Sequence, residues 1–229
     1  MKNILITGAS KGIGQAIAVK LAGKDSHIFI HGRDKQGLEV TSNAIEKKAG
    51  KATQIIADIS TPAGCDKIIL RVGKTDIDIL IHNAAIAVVK PLEELTLDDW
   101  NKTFAVNVTA PFLITQKLLS RLKKGSSIVN ILSVAAKKSF SEWSSYCMSK
   151  HAMRGFTESI RQELRPKGIR VINIFPAAVD TPIWDNVAGD WEKSTMLSAD
   201  DIARAVEFAI SNRDRVMIDD ITMESILRG

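Results

Sequence analysis

Short apolar runs rich in Ile, Leu and Val alternate along the whole chain with longer stretches of helical periodicity, and no other feature restricts the possible folds as much. The runs cover residues 3–7, 27–31, 52–57, 77–82, 127–132 and 169–175, and a seventh strand is expected within 216–227. Several are nearly continuous in branched aliphatic residues, the pattern of strands covered on both faces. Helical stretches lie between them at 13–22, 35–49, 63–72, 97–123, 145–165 and 200–211. Because two parallel strands can be joined only by a crossover, this repeated alternation implies an α/β fold. The expected architecture is a single doubly wound parallel sheet with helices on both faces. No internal repeat or low-complexity linker interrupts it, so residues 1–229 read as one domain.

Composition removes several classes of function. With 45% hydrophobic and 25% charged residues the chain is neither disordered nor fibrous. Nowhere do 18 apolar residues run together, and the first apolar run is too short for a signal peptide, so a cytoplasmic protein without a membrane span is expected. Cys65 and Cys147 are too few for a disulfide framework and have no C-x-x-C spacing. His27, His31, His82 and His151 form no H-E-x-x-H pair and no cysteine-histidine set, so no metal is expected. The formal net charge of +5 is spread over short groups such as Lys47, Lys48 and Lys51, with no basic stripe and no aromatic platform, so nucleic acid is not an expected partner.

In a doubly wound sheet the ligand site lies outside the carboxyl ends of the strands, near the point where strand order reverses. The segments just after each strand therefore carry the argument. After the first comes Thr7-Gly8-Ala9-Ser10-Lys11-Gly12-Ile13-Gly14, which opens a helix. Gly8 permits the turn, Gly12 lets the backbone approach a pyrophosphate, and Gly14 allows close packing of helix on strand. The spacing differs from G-x-G-x-x-G. It resembles the T-G-x-x-x-G-x-G turn of the short-chain dehydrogenase/reductase family, whose fold is Rossmann-like.

That resemblance implies a dinucleotide held by Gly8, Ser10, Lys11, Gly12, Ile13 and Gly14. The second strand ends in Gly32-Arg33, and Gly32 stands where the family often carries the acid that binds the ribose hydroxyls of NAD. With no acid there, and with Arg33 and Lys11 able to meet a 2′-phosphate, the expected cofactor is NADP(H). The alternative for Arg33 is a solvated loop residue. Asp58-Ile59 resembles the family's adenine-contacting pair, although Asp58 equally suits a turn or a helix cap. His82-Asn83-Ala84-Ala85 resembles its N-N-A-G stretch, with Ala85 in place of a glycine, so the backbone there must avoid positive φ or be strained. Pro176-Ala177-Ala178-Val179-Asp180-Thr181 resembles P-G-x-V-x-T, which implies nicotinamide contacts from Pro176, Val179 and Thr181.

Tyr146 and Lys150 are four apart on an expected helix and so share one face. A free phenol, with a pKa of about 10, is a poor proton carrier at neutrality. An ammonium about 4 Å away at an effective dielectric near 20 would supply roughly 4 kcal/mol, or about three pK units, which brings Tyr146 toward 7. Such a pair is common by chance, but Tyr146 is the only tyrosine in the chain and Ser133 precedes it by 13 residues, a separation typical of the family. The resemblance makes Asn107, Ser133, Tyr146 and Lys150 the catalytic set. In it Ser133 holds the substrate oxygen, Tyr146 carries the proton, Lys150 serves both Tyr146 and the nicotinamide ribose, and Asn107 supports a water on the path to Lys150. The implied reaction is reversible reduction of a ketone, aldehyde or 3-oxoacyl group to an alcohol, by a homo-oligomer paired through its two longest helices. A dinucleotide-sensing regulatory or scaffold protein on the same fold is the alternative. Phe140, Trp143, Ile183, Trp184 and Trp191 are candidates to face a small-molecule substrate, or else to serve as core or subunit contacts.

Overall fold

The computed structural model describes residues 1–187, 191–211 and 216–227. Seven parallel strands form one sheet: β1 (Lys2–Thr7), β2 (Ser26–Gly32), β3 (Lys51–Ile56), β4 (Ile77–His82), β5 (Leu122–Ile131), β6 (Arg170–Pro176) and β7 (Asp220–Met223). Their order is β3-β2-β1-β4-β5-β6-β7, so the reversal falls between β1 and β4. This is the expected Rossmann-like α/β arrangement.

Both faces of the sheet are covered, which is why its strands are apolar on both sides. On one face α1 (Gly12–Lys20), α2 (Lys35–Glu46) and α7 (Ala199–Ser211) bury Ile17, Leu38, Ile45, Ile202 and Val206 against Ile4, Ile6, Ile28 and Ile174. On the other, α3 (Pro62–Val72), α5 (Ala110–Leu118) and α6 (Ser144–Leu164) surround Leu5, Phe29, Leu80 and Ile128, and α4 (Leu97–Phe104) packs on α6. At about 25 cal/mol for each Å² of apolar surface removed from water, these two layers supply the main drive to fold.

The expected helix over 97–123 is corrected in two places. It passes through a five-residue π segment, Ala105–Thr109, between α4 and α5. It also ends at Leu118, and from Leu122 the chain is already β5. Leu118, Leu119 and Leu122 mimic helical spacing, but Leu122 is buried opposite Ile77 in the sheet. Ser126 Oγ donates to the Ile77 carbonyl at 2.8 Å, and Gly125 turns at φ +93°. A β-bulge between Ile77 and Ile79 accommodates the extra residues. The helix expected to reach residue 49 also stops early, at Glu46, with Ala49 at φ +60°. Edge strand β7 lies within its expected window, fixed by Arg161, which donates from Nη2 to Asp220 Oδ1 at 2.6 Å and to the Asp219 carbonyl at 2.9 Å. No helix among the described residues is long and apolar enough to cross a membrane.

Candidate active site

At the reversal point, the ends of β1 and β4 are laced together by side chains. Thr7 Oγ1 accepts from the amides of Asn83 and Ala84, both at 3.1 Å, and Asn83 Nδ2 donates to the carbonyls of Thr7 at 3.0 Å and Gly8 at 2.8 Å. Three glycines make the turn that follows possible. Gly8 (φ +69°) and Gly12 (φ +59°) occupy the left-handed region. Gly14 answers to space instead, since a Cβ there would stand 2.2 Å from the Gly8 carbonyl oxygen and 2.4 Å from Asn83 Nδ2.

Helix α1 then begins at Lys11 with no side-chain cap and no acid in its first turn. By contrast α2, α3, α4 and α7 are capped by Asp34, Thr61, Thr96 and Ser198, while α6, which follows Trp143, shares the uncapped start. The first amides of α1 and its positive dipole end are thus left for an external anion, and the glycines keep side chains out of the approach. Thr181 closes over the turn from the far side, where a Cβ on Gly12 would meet its Cβ and Cγ2 at 3.3 Å. These features fit a dinucleotide pyrophosphate, with Ser10 and Ile13 carried on the same turn.

One support was missed in the sequence. His31, buried at the end of β2, accepts from the Gly8 amide on Nδ1 at 3.4 Å and faces the Ala57 carbonyl with Nε2 at 3.1 Å. Both bonds require the proton on Nε2, and burial pushes the ring pKa down to about 4, so the imidazole stays neutral. A histidine inside an otherwise apolar strand was the available signal.

Beyond His31, Gly32 packs against Ser10, while Arg33 and Lys11 are both exposed. Asp58 Oδ1 accepts from the Ser60 amide at 3.0 Å, the turn role among the two open readings. That bond holds its carboxyl below the usual range, helped by the charges of Arg33 and Lys102. Ile59 points into the core. Ala85 avoids positive φ, since among the described residues only Ala49 and Glu142 carry it without being glycine. The other departure, Ala177, donates its amide to the Met223 carbonyl at 2.8 Å, so Pro176 and the start of the next loop are tied to β7. Val179 is buried and bridged to Leu197.

The second half of the site stands at the ends of β5 and β6. Ser133, extended at φ −179°, follows β5, and Tyr146 and Lys150 lie on α6. The Ser133 hydroxyl, which accepts from the Ala135 amide at 3.1 Å, lies beside the Tyr146 phenol and favours its charged form. Lys150 is buried, donates from Nζ to the Ile131 carbonyl at 3.0 Å, and lies 5.5 Å from the centre of the Tyr146 ring. The expectation that Lys150 brings Tyr146 toward 7 is not met in this structure. Burial pushes the phenol up to about 12, with Ser133 offsetting part of the rise, and pushes Lys150 down to about 8. The reason is geometric: the ammonium is directed at a backbone carbonyl and lies over the ring, while apolar surroundings penalise the charged form of each group.

Asn107 sits in the π segment, buried, with its amide fully committed. Oδ1 accepts from the Ile86 amide at 2.9 Å, and Nδ2 donates to the Ile86 carbonyl at 2.9 Å and to Ser149 Oγ at 3.0 Å. Its side chain reaches α6 one residue short of Lys150 and clamps the loop after β4. The π turn, a form often found at functional sites, aims it there.

Over Tyr146 lies a cluster of indoles. Trp143 meets Tyr146 edge-on at 5.5 Å and 72°, Trp184 at 5.8 Å and Trp191 at 6.4 Å, and Trp184 and Trp191 stand 4.6 Å apart. Phe140 takes no part in these ring contacts and is exposed. Grooves at the opposite, amino ends of the strands, one lined by Gln116, Leu119 and Lys167 and one by Lys2, Leu21 and Asp25, contain none of these residues.

Comparison with known proteins agrees with this geometry. The short chain dehydrogenase family model matches residues 2–191. A sepiapterin reductase of Chlorobaculum tepidum is 34% identical over 235 residues, covering 97% of this chain and 96% of its own. A D-threitol dehydrogenase of Mycolicibacterium smegmatis is 32% identical over 226 residues, covering 92% and 86%. Among solved structures, an angucycline C-6 ketoreductase with bound NADP superposes with a TM-score of 0.88 at 27% identity, over 100% of this chain and 96% of that one. A short chain dehydrogenase from Burkholderia cenocepacia in complex with NADP gives 0.88 at 29%, over 100% and 98%.

Proposed function

The chain belongs to the short-chain dehydrogenase/reductase family, oxidoreductases that work with nicotinamide cofactors, and from that premise we propose that it is an NADP(H)-dependent carbonyl reductase. The observation that carries this reading is the meeting of Ser133, Tyr146 and Lys150 at the carboxyl ends of the strands, beside an uncapped glycine turn. Gly8, Ser10, Lys11, Gly12, Ile13 and Gly14 hold the pyrophosphate through backbone amides. Arg33 and Lys11 face the 2′-phosphate, and Asp58, Asn83, Ala84 and Ala85 line the adenosine side, with Ile59, whose side chain is in the core, offering only its backbone. Pro176, Val179 and Thr181 border the nicotinamide.

A bound reduced nicotinamide supplies hydride; the remaining work is done by this chain. With its pKa raised to about 12, Tyr146 is fully protonated at neutral pH and so stands ready as a donor. Ser133 and Tyr146 together grip the carbonyl oxygen, and as charge grows there the phenol proton moves onto it. The Lys150 ammonium, charged below about pH 8, stabilises the phenolate that remains. Asn107 keeps the loop after β4 and the face of α6 at fixed distance, so that these groups stay in register. The names of the relatives support carbonyl chemistry in both directions: a ketoreductase and a sepiapterin reductase beside a threitol dehydrogenase. We further take the protein to be a homo-oligomer, consistent with the exposed Trp100, Phe104 and Phe112 on α4 and α5.

The test is a panel of ketones, aldehydes, sugars and 3-oxoacyl thioesters incubated with NADPH while cofactor absorbance is followed. Consumption on at least one carbonyl class is expected. Tight NADPH binding with no turnover on the whole panel would overturn the reading.

A further inference from the structure

Three of the four tryptophans of this chain gather at one place, beside the only tyrosine. None of the three is fully buried. Trp184 Nε1 donates to the Val179 carbonyl at 2.8 Å and Trp191 Nε1 to the Val187 carbonyl at 3.3 Å, so each indole edge is fastened to its own loop. Trp184 and Trp191 lie ring against ring, 4.6 Å apart and tilted by 43°. Trp143 stands nearly perpendicular to Tyr146 and Trp191, at 72° and 87°, and at 61° to Trp184, which makes a corner with the phenol at one end and the indole pair at the other. The same loop carries Asp180 and Asp185, both ion-paired with Lys193.

We propose that the carbonyl compound this site takes is an aryl ketone, whose ring stacks on the indoles of Trp184 and Trp143 while its oxygen lies between Ser133 and Tyr146. The inference rests on the reading of Ser133 and Tyr146 as the pair that holds the carbonyl. Conjugation keeps an aryl carbonyl in the plane of its ring, so one flat molecule can satisfy both ends of the corner. A saturated ring of the same size buries similar area but lacks the quadrupole that indole faces favour, and that difference amounts to about tenfold when two aromatic contacts are made.

Acetophenone and cyclohexyl methyl ketone share a skeleton and differ in the ring alone, which makes them the probes. Two readouts are taken: kcat/KM with NADPH, and calorimetric affinity for the NADP+-loaded protein, in which a ketone cannot react. Acetophenone is expected to be favoured about tenfold in both. Trp184→Leu should bring the affinity ratio to about one, whereas Trp184→Phe, which loses the bond to Val179 but keeps a ring face, should retain most of it. If Trp184→Leu does not fold, Trp143→Leu, which removes the other indole of the proposed stack, serves the same comparison. Equal affinity of the unmodified protein for the two ketones, or a preference that survives loss of the indoles, would overturn the proposal whether or not either ketone is reduced. Preferential binding of acetophenone with no turnover of either ketone would uphold the aryl site, and would overturn the reductase reading only together with an inert carbonyl panel.

Discussion

Where β1, β2 and β4 end, the site is made of backbone: glycines at positive φ, uncapped amides, and a lacing of Thr7 and Asn83 to main-chain groups. Where β5 and β6 end, it is made of side chains brought from far apart, with Ser133, Tyr146, Trp184 and Trp191 spread over nearly sixty residues. The first kind of site fixes position and tolerates little change in any residue. The second fixes chemistry and selectivity, and can be altered one side chain at a time. Substitutions at the two ends should therefore separate binding from turnover.

The sharpest separation is expected from Tyr146→Phe. Only a proton donor is lost, so kcat should fall by about 10²- to 10⁴-fold while NADPH affinity, read by fluorescence titration, stays within about threefold. A kcat within tenfold of the unmodified protein would break the division of labour. At the other end, Gly32→Asp with Arg33→Ala should lower the ratio of kcat/KM for NADPH over NADH by about a hundredfold, because a carboxylate repels the 2′-phosphate and a cation is removed. The backbone at Gly32 allows the change, but its Cβ would meet Ser10 at 3.2 Å, so Ser10 must shift by a few tenths of an ångström. An unchanged ratio, measured by steady-state kinetics with both cofactors, would show that the end of β2 does not select the ribose.

The same division governs how much could be read in advance. The glycine turn, Asn83 and the Ser133, Tyr146 and Lys150 set lie in short contiguous motifs or at helical spacing, so the parallel sheet and the position of its crevice followed from them. Local periodicity failed at residues 119–123, where leucines at helical intervals belong partly to a strand that only its pairing with Ile77 reveals. It also gave no sign of the π segment, which is a property of the hydrogen bonds around Asn107. Spacing alone places the pKa of Tyr146 too low because it gives the distance to Lys150 but not the desolvation of both groups or the carbonyl of Ile131 that attracts the ammonium. Trp184 and Trp191 could be named as candidates, whereas their contact with Trp143 exists only in three dimensions.

Lys150 itself links the two ends through stability. Its folded pKa of about 8 lies below its ordinary 10.5, and burial is the cause. Below pH 8 the folded and unfolded chains both carry the proton, and the cost of burying the charge is fully present. Between about 8 and 10.5 only the unfolded chain keeps it, so the native protein gains stability as pH rises. Lys150→Met lacks that gain, and its stability relative to the unmodified protein should fall by about 3 kcal/mol between pH 7 and pH 10.5. Urea unfolding of both proteins at the two pH values measures the difference, and other titrating groups cancel. A constant difference would mean that burial does not lower the Lys150 pKa.

The smallest effect uses the two non-glycine residues at positive φ. Ala49 (φ +60°) ends the turn after α2, exposed and remote from the crevice, while Glu142 (φ +67°) precedes Trp143 and accepts from the Lys90 amide on its carbonyl at 2.9 Å. Glycine at either position relieves a left-handed conformation that costs a side-chain-bearing residue about 1–2 kcal/mol, and returns roughly half of that as freedom in the unfolded chain. Each single variant should thus gain about 0.5–1 kcal/mol, or about 1–4 °C in Tm for a chain of this length. The two should part in selectivity. Ala49→Gly leaves the preference for acetophenone over cyclohexyl methyl ketone unchanged, whereas Glu142→Gly loosens the backbone that sets the Trp143 ring against Tyr146 and should lower that preference by about two- to threefold. Thermal melts and the two-ketone ratio decide the matter together. A Glu142→Gly protein that is stabilised yet equally selective would show that Trp143 is held by its ring neighbours alone, and one that is destabilised would show that the freedom glycine adds to the unfolded chain outweighs the relief of strain.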